Sequence, residues 1–234
     1  MSRALVRRIE GLALQRRTRK YMAFALLGIV NFPVIRFWYG TRLRHLIEQT
    51  APGRAWIHLA CGKRPFVGWI NIDFVPYSPG PDILLDLCKP LPLKDNTVDL
   101  MYSEDFIEHV DLEQGRRILR EWYRVLRPGG MLRLLTPNLR ALATDYVNRC
   151  SDLLEWYGHL YGPASFAEVL NHGMRAWGHQ FLYDDELLTH ELQTIGFSPQ
   201  LLIHNQSNNP FLRALDRPDL QETKYRMYFD CLKL

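Results

Sequence analysis

The chain predicts an α/β fold: a doubly wound parallel sheet with an antiparallel finish, preceded by a helical extension. Three observations predict it. Short apolar runs at 55–60, 69–73, 82–87, 98–103 and 131–136 are separated by turn residues, and each suits a strand buried on both faces. The first run continues through Leu59-Ala60-Cys61 and breaks on Gly62, while the second, Trp69-Ile70-Asn71-Ile72-Asp73, ends on an acid. The chain closes with two further strand-like runs, 199–204 and 225–232, after a long helical stretch. Alternating strands and helices followed by terminal strands read as a mostly parallel sheet with an antiparallel edge.

The elements follow in order. Helical periodicity runs through residues 2–50, where Leu43, Leu46 and Ile47 mark the inner face of the last helix and Ala51-Pro52-Gly53 ends it. Residues 1–50 are therefore read as an N-terminal extension and 51–234 as the main domain. Between the fourth and fifth runs, Asp111 with Gln114 three residues on has the capping-box pattern. Ile118, Trp122, Val125 and Leu126 give that helix its apolar stripe, and Pro128-Gly129-Gly130 is expected to stop it and turn the chain. Residues 139–195 read as a helical insertion rich in aromatics, with a Gly/His-rich interruption at 171–180. Trp156, Tyr157, Tyr161 and Phe166 would line either core or pocket.

At 234 residues and 47% hydrophobic, the chain is long enough for one well-buried core. Its four cysteines are scattered without a CxxC pair, which fits a reducing, cytoplasmic setting rather than a disulfide scaffold. Charge is uneven. Residues 1–20 hold seven basic side chains against the single acid Glu10, a net +6 that leaves −2 for the rest of a +4 chain. An uncharged run from Tyr21 to Ile35, broken by Asn31 and Pro33, follows. It falls short of the ~20 residues that span a bilayer. Residues 1–39 thus stay open between a helical lid packed on the domain, a peripheral contact with an anionic membrane, and a true span or export signal.

Gly62 and Asp73 point to a nucleoside-bearing cofactor. The glycine lets backbone approach a ligand, and an acid at the tip of the next strand can accept hydrogen bonds from a ribose diol. A dinucleotide needs G-x-G-x-x-G to seat its pyrophosphate, but Gly62 is followed by Lys63-Arg64-Pro65-Phe66. The acid also comes eleven residues after Gly62, whereas the dinucleotide fingerprint places it about twenty on. Both facts argue against a nicotinamide cofactor.

Leu59-Ala60-Cys61-Gly62, Gly68-Trp69-Ile70-Asn71-Ile72-Asp73, Asp86-Leu87, the run Leu91 to Asp99, Phe106-Ile107-Glu108-His109, the run Glu121 to Gly130 and Leu132 to Asn138 stand in a recognisable order. Together they resemble class I S-adenosylmethionine-dependent methyltransferases of the type 11-like, bacterial branch often associated with glycan or secondary-metabolite pathways. Gly178-His179-Gln180-Phe181-Leu182-Tyr183-Asp184, Gly196-Phe197 and Pro210 to Asp216 extend the resemblance, which covers roughly 52–234. It implies a Rossmann-like sheet with an antiparallel terminal strand, and S-adenosylmethionine as cofactor. It also implies that Ala60, Cys61 and Gly62 wrap the methionine end, Asp73 grips the ribose, Asp86 with Leu87 faces the adenine edge, and Ser103 and Glu104 floor the site. Lys63 and Arg64 replace the family's later loop glycines, and either could face the methionine carboxylate.

For the chemistry, His109 follows the fourth strand, where cofactor and acceptor should meet, and is read as a general-base candidate beside a packing role. His172 and His179, with Tyr183, form a second group in the helical insertion, read as an acceptor-site lid or as structure. No metal is expected, since the H-x₆-H spacing without a cysteine pair matches no zinc pattern. Cys61 reads as a small loop residue rather than a nucleophile. The expected activity is methyl transfer, most readily to an oxygen of a small molecule, glycan or lipid-linked metabolite. An RNA methyltransferase using the basic tail and a non-catalytic binding module are the alternatives.

Overall fold

The computed structural model describes residues 25–162, 164–217 and 223–234, without the side chains of Trp156, His159, Leu160, Tyr161 and Thr223. The basic residues 3–20, and the roles expected of Trp156 and Tyr161, lie outside the described residues. Residues 25–30 are helical, followed by α1 (Pro33–Gln49). Then come β1 (Trp56–Leu59), β2 (Ile70–Asp73), β3 (Ile83–Leu84), β4 (Val98–Glu104), α2 (Leu112–Val125) and β5 (Leu126–Pro137). The insertion holds α3 (Leu139–Val147), α4 (Ser151–Tyr161) and α5 (Phe166–Arg175), and α6 (Asp185–Ile195), β6 (Phe197–Leu202) and β7 (Arg226–Lys233) close the chain.

One seven-stranded sheet runs β3-β2-β1-β4-β5-β7-β6. Strands β1 to β5 pair in parallel, and β7 lies antiparallel to both β5 and β6. This is the doubly wound, Rossmann-like sheet with an antiparallel terminal strand that the sequence predicts. The strand order reverses beside β1, between β2 and β4, so a ligand crevice is expected at the carboxyl ends of these strands.

The two faces of the sheet are covered differently. Side chains alternate along each strand, so Ile57, Leu59, Met101, Leu132, Leu134 and Phe229 meet the helices, packing with Leu43 of α1, Leu119 and Trp122 of α2, and Leu188 and Leu192 of α6. The opposite side chains, Trp56, Leu100, Tyr102 and Tyr228, form a second cluster with Trp69 and Leu212 from loops. The links β1–β2, β2–β3 and β3–β4 contain no α-helix. The first of them is too short for the helix that a parallel crossover usually carries. Aromatic loop residues cover this face instead. The His58 ring stacks on Phe66 at 3.9 Å and stands edge-on to Tyr102, and burial drives its pKa down to about 3.

Three local expectations change in detail. Asp111 caps α2 by accepting from the Gln114 amide at 2.8 Å, but the Gln114 side chain reaches the Cys88 carbonyl instead of closing the box. Pro128-Gly129-Gly130 does not separate helix from strand. Leu126 turns extended directly after α2, pairs with Val98, and the register shifts between Val98 and Leu100. The interruption expected at 171–180 starts later, because α5 continues through His172 to Arg175 before a 3₁₀ turn at Ala176–Gly178.

Candidate active site

The residues expected to face the cofactor lie at the carboxyl ends of β1 to β4. After β1 the backbone enters the left-handed region at Ala60 (φ 53) and again at Gly62 (φ 55). A non-glycine residue held there is strained, a feature that concentrates at ligand sites. A Cβ built on Gly62 would meet no protein atom within 4 Å, so the loop opens onto free space. The Gly62 amide donates to Asp73 Oδ2 and the Val75 amide to Oδ1, both at 2.9 Å. These two bonds fix the carboxylate at the tip of β2. Burial raises the Asp73 pKa, opposed by the Val75 and Gly62 amides. The Cys61 thiol is pushed up to about 12 by burial and by Asp73, so it is no nucleophile at neutral pH.

Asp86 is buried behind β3, with Leu87 buried beside it. Its Oδ2 accepts from Asn31 Nδ2 at 2.8 Å and its Oδ1 from the Cys88 amide at 2.9 Å. Asn31 therefore ties the N-terminal extension to Asp86, a link not evident from the sequence. The signal was one polar side chain interrupting an apolar run. Ser103, fully buried, ends in a hydroxyl with no hydrogen-bond partner among the described residues. Glu104 next to it is held by Arg64 at 2.9 Å and Arg226 at 3.0 Å. Arg64 also donates to the Leu215 carbonyl. Its guanidinium is thus committed to the protein, and of the two loop cations Lys63 is the exposed one, 5.7 Å over the Tyr77 ring.

The residues expected on the acceptor side gather around the 3₁₀ turn Ile107–His109 just past β4. The amides of Gln180 and Phe181 donate to the Glu108 carbonyl at 2.8 and 3.2 Å, and the Gln180 side chain donates to the His109 carbonyl at 2.6 Å. This clamp brings His109 and His179 together, ring centroids 5.1 Å apart. His172 lies further along the same aromatic row. Trp177 lies tilted against both it and His179, ring centroids 4.9 and 5.4 Å apart, and Tyr157 hydrogen-bonds His172 Nδ1 at 2.7 Å. Tyr183 is not part of this row. Its ring is buried in the main core, and its unpaired hydroxyl sits against Gly115 of α2.

His179 Nδ1 lies 2.8 Å from the Gly173 carbonyl. A carbonyl only accepts, so Nδ1 carries the proton and Nε2 keeps its lone pair in the neutral ring. Burial lowers the pKa of both His109 and His179, and the neighbouring His179 lowers that of His109 further. Donor atoms of Glu108, His109 and His179 lie within 4.8 Å of one another, a set that could hold a cation by donor type. Glu108, however, is fully buried, accepts from the Thr136 hydroxyl at 3.0 Å, and is pushed up to about 8 by burial and by Asp105. Both causes favour its neutral, protonated form. A separate groove of about 460 Å³ opens on α3, lined by Arg140, Thr144, Asn148 and Asp184 among others, and contains none of the expected site residues.

Residues 75–134 match the family model described as a methyltransferase domain. Among solved structures the chain is similar to a SAM-dependent methyltransferase from Archaeoglobus fulgidus, at 15% identity over 85% of this chain and 94% of that one, with a TM-score of 0.49. It is also similar to one from Mesorhizobium loti (17% identity, 82% and 96% covered, TM-score 0.48). A third is a possible histamine N-methyltransferase from Thermotoga maritima (15%, 94% and 96%, 0.47). No curated protein matches the chain.

Proposed function

We propose that this class I S-adenosylmethionine-dependent methyltransferase moves its methyl group onto an oxygen of a small-molecule, glycan or lipid-linked acceptor, with His179 as general base and His109 beside it. The observation that carries the reading is the His109–His179 pair past the end of β4, its tautomer set by the Gly173 carbonyl.

S-adenosylmethionine, when bound, supplies an electrophilic methyl on a sulfonium. The loop Ala60–Gly62 holds the methionine end, and Asp73, oriented by two backbone amides, takes the ribose hydroxyls. Asp86 keeps one lone pair on each oxygen for the adenine edge beyond its bonds to Asn31 and Cys88. The unpaired Ser103 hydroxyl and the Glu104 carboxylate floor the site. A hydroxyl acceptor must lose its proton as its oxygen attacks, and a neutral imidazole with a free Nε2 can take it. Holding acceptor and methyl in line supplies up to ~7–11 kcal/mol of barrier reduction in favourable cases. Tyr183 takes no part in this scheme, and His172 acts through the Trp177 stack as a positioning residue.

The nucleic-acid alternative gains nothing from the body of the protein. Arg64, Arg133 and Arg217 are paired with internal acids rather than forming a basic face. No helix among the described residues is long and apolar enough to cross a membrane. A peripheral membrane contact through residues 1–39 belongs to this proposal.

Calorimetry with S-adenosylmethionine should show binding that Asp73→Ala weakens at least about tenfold, since a buried carboxylate bonded to a ribose is worth about 1.5–3 kcal/mol. Unchanged affinity would overturn the cofactor placement. Labelled methyl transfer into fractionated metabolite and lipid extracts would then identify the acceptor, and label found only in RNA would sink the small-acceptor reading.

A further inference from the structure

We propose that the outer face of α1, with the turn before it, docks on an anionic lipid bilayer. Docking there would deliver a membrane-borne acceptor to the cofactor site, a consequence that rests on the methyltransferase reading. Phe32, Val34, Phe37 and Trp38 are 59%, 68%, 70% and 54% exposed, and Ile29 on the preceding helical segment is similarly open. Val34, Phe37, Trp38 and Thr41 follow the i, i+3, i+4, i+7 spacing of one helix face. The opposite face carries Gly40 and Leu43, both buried, and Gly40 lies against Pro92. A helix packed on one side only should be polar on the other, yet the first turns of α1 expose Val34, Phe37 and Trp38. Single exposed apolar residues are ordinary, but a contiguous ridge of five marks an interaction surface.

Charge indicates what covers it. The net +6 of residues 1–20 lies immediately upstream of the ridge, while the rest of the chain carries −2. Basic residues beside exposed Phe and Trp are the pattern of an element lying in the plane of an anionic membrane surface. Arg42 lies 5.7 Å over the Trp38 ring, an aromatic and a cation together at interfacial depth. The position is also functional. Asn31, between the helical segment 25–30 and α1, hydrogen-bonds Asp86, so the ridge borders the cofactor site.

The test is co-sedimentation of the full chain with vesicles of phosphatidylglycerol and phosphatidylcholine, against phosphatidylcholine alone, at low and high salt. The expected result is salt-sensitive binding that prefers the anionic vesicles about tenfold or more. Phe37→Ser with Trp38→Ser should weaken it about tenfold or more, while circular dichroism and S-adenosylmethionine calorimetry stay as in the unaltered protein. A separate variant with Arg16, Arg17, Arg19 and Lys20 changed to Ser should also weaken it with the ridge intact. Vesicle binding unchanged in the ridge variant, or equal for both lipid compositions, overturns the proposal. So does light scattering that shows a dimer which the ridge variant dissociates without altering vesicle binding. Vesicle binding without any S-adenosylmethionine binding would instead reject the methyltransferase reading and leave the docking surface standing.

Discussion

At the scale of single residues, the two ends of the candidate site differ in how visible they are in the sequence. Gly62, Asp73, Asp86, Ser103 and Glu104 sit at strand ends, and a strand end is a local pattern: an apolar run that stops on a glycine or an acid. His109 and His179 are seventy residues apart, and only the bonds from Gln180 and Phe181 to Glu108 show that they form one group. His172, seven residues from His179 and close to it in sequence, ends up one tryptophan away. The lowered pKa of His179 makes a prediction about rate. A base must be unprotonated, so kcat should fall as pH drops through a value below the ordinary 6.5. His179→Ala should lower kcat by roughly 10²–10⁴-fold and flatten that acid limb. A full acid limb surviving in the variant would assign the base elsewhere, and His109→Ala is the next variant to measure.

Among the elements, α2 and the segment that follows the insertion show why an expected catalytic tyrosine reads differently in three dimensions. Tyr183 lies four residues after His179, yet its ring turns into the core and its hydroxyl reaches α2. A Cβ on Gly115 would collide with that hydroxyl. Gly115→Ala should therefore destabilise the protein by about 1–3 kcal/mol, the usual cost of overpacking. Tyr183→Phe removes the colliding atom, and with it a buried hydroxyl that has no partner, so the double variant should recover most of the loss in urea denaturation. Tyr183→Phe alone should keep kcat. A large drop in kcat with unchanged stability would return Tyr183 to the chemistry. Packing against a glycine in the first turn of another element leaves no trace in local periodicity, and that is why sequence could not separate the two roles.

For the molecule as a whole, the unequal faces of the sheet hold the argument together. Helices cover one face, whereas the other is closed by loops pinned through a buried guanidinium. Arg133 on β5 bonds Asp216 at 2.6 Å and Asp230 at 3.1 Å, all three buried. Asp216 also accepts from the Asn205 amide at 2.7 Å, which ties the loop of Leu212 and Leu215 onto the aromatic cluster and toward Arg64 and Glu104. Removing one member leaves a buried charge uncompensated, so Asp216→Ala should cost about 3–5 kcal/mol. Thermal and urea unfolding would check it, and a loss below about 1 kcal/mol, the range of exposed pairs, would show the network to be solvated.

The sequence by itself determined the strand succession, the glycine and acid that follow the first two strands, the lack of a dinucleotide fingerprint, and the basic, apolar character of the N-terminus. All of these are set by side-chain period and composition within a dozen residues. Only the tertiary structure decided which histidines meet, that Arg64 answers Glu104 rather than standing free, that Asn31 reaches Asp86, and that α1 leaves an apolar ridge uncovered. Each of these depends on contacts between segments 40 to 70 residues apart or on what an outer face lacks, and chain folding, not local pattern, sets both.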